Sequence, residues 1–89
     1  MEYTKHNHAI KVLKMMSNSN RLKVLELLWR ADAPINVGDI AAKLGIEVSN
    51  LSNHLFKLRA VGLVKAKQHG SNMYYSIKDP LVERFLKSI

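Results

Sequence analysis

A mainly α-helical fold with one small β-hairpin is what this sequence predicts, and three observations predict it. Apolar residues recur at helical spacing through four successive segments up to Val61, the period drops to two after Gly62, and helical spacing returns after Asp79-Pro80. The expected order is therefore α-α-α-α-β-β-α, in a single domain spanning residues 1–89.

The first helix, residues 7–16, carries Ile10, Leu13 and Met16 on one face and Val12 and Met15 on the next, so it needs partners on two sides. Asn18 is a good cap for the second, in which Leu22, Leu25, Leu28 and Trp29 point inward and Lys23, Glu26 and Arg30 outward, up to Ala33-Pro34. Asn36 caps the third, with Asp39 in its first turn and Ile40, Ala41 and Leu44 on one face. Gly45 ends that helix, because glycine takes the left-handed conformation a helix C-terminus needs. In the fourth, Val48, Leu51, Leu55, Leu58 and Val61 form one stripe expected to be buried, and Ser49, Asn50, Ser52, Asn53 and Lys57 lie off it. Two helices joined by a tight turn and followed by a hairpin are a helix-turn-helix with a wing.

The hairpin arms are Leu63–Gln68 and Met73–Ile77, joined by His69-Gly-Ser-Asn72. Asp79 and Pro80 read as N-cap and first position of a last helix, along which Leu81, Val82, Phe85, Leu86 and Ile89 repeat at helical spacing. So much apolar surface on a short helix needs a cover. The first helix can supply it, within one chain or across a dimer interface.

Charge points to a polyanionic partner. The chain has 14 Lys and Arg against 7 Asp and Glu, a formal charge of +7 on 89 residues. Between residues 47 and 78, Lys57, Arg59, Lys65, Lys67 and Lys78 face one acid, Glu47, so the surplus sits on the segment that carries the fourth helix and the hairpin. The exposed start of that helix is polar but uncharged, which suits the donor and acceptor pattern of a DNA major groove. Asn50 and Asn53 are the leading base readers, since an Asn amide pairs bidentately with adenine; Ser49 and Ser52 accompany them. Lys57, Arg59, Lys65 and Lys67 are expected on phosphates, with His69 and Asn72 at the wing tip.

Other classes lose their footing. There is no cysteine, so disulfides, thiolate metal sites and thiol redox sensing are excluded. His6 and His8 stand two apart and do not share a helix face, so no metal site is expected there. No run has the length of a membrane span, and Met1-Glu-Tyr-Thr-Lys-His lacks the apolar core of a signal peptide, so a cytoplasmic location is expected. No nucleophile, metal motif or Gly-rich phosphate loop supports an enzyme, and no cofactor is expected. Trp29 and Phe56 fall at helical positions where core packing or a pocket wall is expected.

Two stretches resemble the arsenical-repressor (ArsR/SmtB) family of winged helix-turn-helix transcription factors. Asn18-Ser-Asn-Arg-Leu-Lys-Val-Leu-Glu-Leu-Leu28 is similar to its D-P-T-R-L-x-I-L-x-L-L, and Leu51-Ser-Asn-His-Leu-Phe-Lys-Leu-Arg-Ala-Val-Gly-Leu-Val64 to its V-S-x-H-L-x-x-L-x-x-A-G-L-V. Tyr74-Tyr75-Ser76 matches the second strand of the wing, so the likeness covers nearly the whole chain. It implies a homodimer on double-stranded DNA, typically a repressor released by a signal, with an inverted-repeat operator. The expected interface is Ile10, Leu13, Leu81, Val82, Phe85, Leu86 and Ile89. His54 occupies the family's histidine position, with an expected polar contact to backbone or phosphate.

Departures from the pattern concern regulation. Where metal-sensing members carry C-V-C-D-L, this chain has Asn36-Val-Gly-Asp-Ile40, and Asp79-Pro-Leu-Val82 lacks the histidine of the C-terminal D-x-H-V site. An unidentified organic effector, a protein partner or constitutive binding remains. The alternative function is a winged-helix module for protein contacts within a larger assembly.

Overall fold

The computed structural model describes residues 6–89. Met1–Lys5, on which most of the signal-peptide reading rests, lie outside the described residues. The elements are α1 (Asn7–Met16), α2 (Ser19–Arg30), β1 (Ile35–Asn36), α3 (Val37–Leu44), α4 (Val48–Val61), β2 (Val64–His69), β3 (Asn72–Ile77) and α5 (Pro80–Lys87). Helices dominate, and β2 and β3 form the antiparallel hairpin. The expected order lacks one element, β1, which pairs antiparallel with β3 through Ile35 opposite Tyr75 and Asn36 opposite Tyr74. The sheet thus has three strands in the order β1-β3-β2. Two residues cannot show an alternating pattern, and β1 exists only because β3 offers it an edge.

Local chemistry sets the element ends. Asn18 Oδ1 accepts from the Arg21 N–H at 3.0 Å and Asn36 Oδ1 from that of Asp39 at 2.8 Å, each satisfying a donor the first helical turn leaves free. Asp79 caps α5 through the Leu81 N–H at 2.9 Å, with Pro80 following where no N–H is needed. The other oxygen of the same carboxylate meets His8 Nε2, so one side chain both caps α5 and ties it to α1. Gly45 (φ 65°) and Gly62 (φ 86°) close α3 and α4 in the left-handed region. The hairpin turn is tighter than the expected four residues. His69 pairs with Asn72, leaving Gly70-Ser71 as the loop, and Gly70 at φ 65° before a residue of negative φ fits a type II′ turn.

The core gathers Val12 of α1, Val24, Leu25 and Leu28 of α2, Ile40 of α3, Leu51, Leu55 and Leu58 of α4, Leu63 and Val64 at the wing base, and Val82 and Leu86 of α5. In α1 the buried residue is Val12, while Ile10 and Leu13 face outward, where the expected dimer interface would lie. Three expectations need correction. Val48 does not join the α4 stripe but stands 49% exposed, and Ile46 of the turn is buried in its place. Val48 is the first residue of α4 and stands at the end of the stripe, where Ile46 already fills the core. Phe56, expected to pack, is 73% exposed, whereas Trp29 is half-buried against the core as anticipated. Val82 and Leu86, assigned above to a dimer interface, are sealed inside the protomer because α5 packs on both α1 and α2. They have no surface left for a second copy. Among the described residues no helix is long and apolar enough to cross a membrane.

Candidate nucleic-acid interface

The orientation of α4 follows from its three fully buried leucines, 51, 55 and 58, which fix which side of the helix meets water. At about 100° per residue, Ser49, Asn53 and Ala60 fall within roughly 30° of the line opposite that stripe. Phe56 and Lys57 flank the line at about 50° on opposite sides, with Asn50 and Ser52 further round at roughly 70–90°. Arg59 is displaced by about 100°, on the flank of the helix rather than its front. Ser49, Asn50, Ser52, Asn53, Lys57 and Arg59 are all exposed. The exposed face of α4 thus carries Ser49, Asn53 and Ala60 along its centre, Phe56 and Lys57 beside them, Asn50 and Ser52 further round and Arg59 at its edge.

Ser49 is less available than its position suggests. Glu47, the cap residue, makes no side-chain bond to a backbone N–H and instead accepts the Ser49 hydroxyl at 2.7 Å. The Ser49 proton is occupied, leaving its lone pairs to face outward.

His54 differs from expectation. Its Nδ1 is buried and has no hydrogen-bond partner among the described residues, so the anticipated backbone contact is not made there. Any outward contact of the ring must go through Nε2. Burial, reinforced by the charges of Arg21 and Lys57, holds its pKa below the usual histidine value, which keeps the ring neutral. A histidine with a lowered folded pKa leaves stability intact above the unfolded value near 6.5 and takes it away as pH falls through the folded pKa. His54→Gln is therefore expected to flatten the stability loss below about pH 6.5 in urea titrations. An unchanged acid slope would contradict the burial of a neutral ring.

The wing presents one polar face. Lys65, Lys67 and His69 alternate along β2 opposite Ser76, Tyr74 and Asn72 of β3, and directly opposed residues share a side of the sheet. The reverse face carries Val64, Ala66, Tyr75 and Ile77, of which Val64, Tyr75 and Ile77 pack into or against the core. His69 meets Tyr74 edge-on, ring centres 6.3 Å apart, which steadies the tip. Tyr74 and Ser76 were not among the candidate residues, although the period-two alternation starting from Lys65 would have found them. The wing is tied to the end of α4. The Leu63 N–H donates to the Leu58 carbonyl at 2.9 Å, and the Leu63 carbonyl accepts from Lys78 at 2.9 Å, so the end of the helix and both ends of the wing are hydrogen-bonded together.

Among the described residues no group of three or more His, Asp or Glu side chains could hold a metal ion, and the chain has no cysteine. Neither metal-sensing set of the resembled family is present.

Comparison with known proteins agrees with this geometry. Residues 16–65 match the model of a helix-turn-helix domain. The chain is 34% identical over 87 residues to the transcriptional repressor PagR of Bacillus anthracis, covering 98% of this chain and 86% of PagR. It is 32% identical over 79 residues to the transcriptional activator HlyU of Vibrio cholerae, covering 89% of this chain and 71% of HlyU. The crystal structure of PagR superposes with a TM-score of 0.84 at 33% identity over 98% of both chains. The solved structure of HlyU from Vibrio cholerae gives 0.88 at 29% identity, over 98% of this chain and 92% of the other. These relatives are regulators of transcription, not enzymes. With that likeness over nearly its whole length, this chain belongs to the winged helix-turn-helix family of DNA-binding transcriptional regulators, without the cysteine and histidine sites of its metal-sensing members.

Proposed function

We propose that the protein acts as a homodimeric repressor of the ArsR/SmtB type, a single domain over residues 1–89 that binds an inverted-repeat operator in the cytoplasm. The observation that carries this reading is the pairing of an exposed α4 face rich in short amides and hydroxyls with a row of cations on the wing hydrogen-bonded to the end of that helix. Asn50, Ser52 and Asn53, with the outward lone pairs of Ser49, read base edges in the major groove. Lys57 and Arg59 on the helix flanks, and Lys65 and Lys67 on the wing, take phosphates, with His54, His69 and Asn72 adding polar contacts. Dimerisation uses the apolar surface that the protomer leaves uncovered: Ile10 (44% exposed), Leu13 (51%) and Ile89 (85%), with the half-buried Leu81 and Phe85 beside them. Repression is favoured by the longer match to PagR, over 98% of this chain against 89% for the activator HlyU. The absence of cysteine leaves an organic effector or a protein partner to set the state, or none.

Helix and wing should fail differently. Asn53→Ala is expected to cost about 1 to 3 kcal/mol per lost bidentate contact and to relax preference at one base per half-site. Lys67→Ala should weaken all sequences alike and lower the salt slope by about 0.9 per contact, nearly two units in a symmetric dimer. Titrations of specific and random duplex across salt concentrations read both. Equal weakening of both duplexes by Asn53→Ala would contradict the assignment, as would an unchanged slope in Lys67→Ala. Negligible affinity of the wild type for any duplex would favour a protein-contact module.

A further inference from the structure

Phe56 is the one aromatic among the exposed large hydrophobics of the described residues, and at 73% exposure it does little to hold the fold together. Single exposed apolar residues are ordinary on protein surfaces, so exposure alone says little. Position says more. Phe56 sits about 50° from the outward line of α4, one turn beyond Ser52 and Asn53, on the same front that carries the candidate base readers. Its chain neighbour Lys57 and, one turn on, Arg59 and the small Ala60 frame it. The centre of a protein–protein contact is depleted in charge and built from several apolar groups, whereas Phe56 stands among amides, a hydroxyl and cations. A DNA major groove offers the matching environment: phosphates along its walls and a single apolar feature on its floor, the thymine 5-methyl group.

We propose that Phe56 is a specificity-determining residue that packs its ring on the 5-methyl of a thymine, one or two base pairs beyond the base contacted by Asn53. The helix rise, about 4.5 Å over three residues, limits the offset, because a base-pair step is about 3.4 Å. The proposal rests on α4 being the reading helix. It adds an aromatic contact to a face whose candidate base readers are hydrogen-bonding groups and assigns thymine, rather than any pyrimidine, at that position.

The test uses the 89-residue chain and a duplex carrying its selected site, in which each thymine is replaced in turn, symmetrically in both half-sites, by deoxyuridine. That change removes the 5-methyl and leaves every hydrogen-bonding group in place. At one thymine per half-site the wild type is expected to lose about fourfold in affinity per half-site, the worth of burying one methyl. Phe56→Ala should bind the thymine site more weakly and show no further loss on deoxyuridine, while Asn53→Ala keeps the deoxyuridine penalty. Because Phe56 is exposed, its alanine variant should retain the wild-type melting temperature, so weak binding will not reflect unfolding. No sensitive thymine, or a penalty that persists in Phe56→Ala, overturns the proposal. So does a Phe56→Ala that alters sedimentation but not DNA affinity, which makes the residue a protein contact. If Asn53→Ala relaxes sequence preference and Phe56→Ala does not, the thymine contact alone fails; if both keep wild-type preference, the reading role of α4 fails with it.

Discussion

Leu13→Asp is expected to leave the protein monomeric and to weaken binding to an inverted repeat by roughly 10²–10⁴-fold, the advantage of linking two half-site contacts in one particle. Leu13 is 51% exposed, so its replacement removes little from the protomer core, and the variant should fold. In a two-fold interface the same substitution appears twice, burying two unpaired carboxylates against apolar surface. Sedimentation at tens of micromolar reads assembly, and titration with the repeat reads affinity. A Leu13→Asp protein that still sediments as a dimer, or a wild type that is a monomer, would remove Ile10, Leu13 and Ile89 from the interface. Phe85→Asp is the weaker probe, because Phe85 also packs on the core and its loss would disturb the fold itself.

The second large effect is on stability. Leu55→Ala should cost about 2 to 5 kcal/mol, since Leu55 is 1% exposed in the middle of the α4 stripe and its truncation leaves a cavity. A domain of this size holds only about 5 to 15 kcal/mol in total, so the melting temperature should fall by roughly ten degrees or more. Urea unfolding checks it, and a cost below about 1 kcal/mol would mean the stripe is not packed as described. Asn53→Ala, two residues away but on the outward side, should leave stability within about 0.5 kcal/mol. The two variants separate what holds α4 from what α4 presents.

What the sequence made legible was whatever one stretch of chain decides alone. The caps at Asn18, Asn36 and Asp79 and the left-handed glycines 45 and 62 are local events, and each lies where its side chain or its lack of a Cβ requires. Strand β1 was not legible, because its two residues take their conformation from β3, far along the chain. Periodicity located the apolar stripes of α1, α4 and α5 but could not say how much covering surface the rest of the fold supplies. That is why Val82 and Leu86 prove to belong inside the protomer while Ile10 and Leu13 remain outside, and why Val48 and Phe56 were expected to be packed. On the wing, the lysines of β2 were readable from charge. Their neighbours Tyr74 and Ser76 needed the strand register, and the orphaned Nδ1 of His54 needed the helices packed around it.

Selection of bound sites from random duplex DNA tests the central claim most directly. Two reading helices related by a two-fold axis enter successive major grooves about 34 Å apart, so the enriched sequence should be an inverted repeat with half-site centres roughly one helical turn, or slightly more, apart. Adenines readable by Asn50 and Asn53 should recur at matching positions in both halves. Failure to enrich any sequence, or enrichment of a single half-site or a direct repeat, would contradict a dimer that reads DNA through α4.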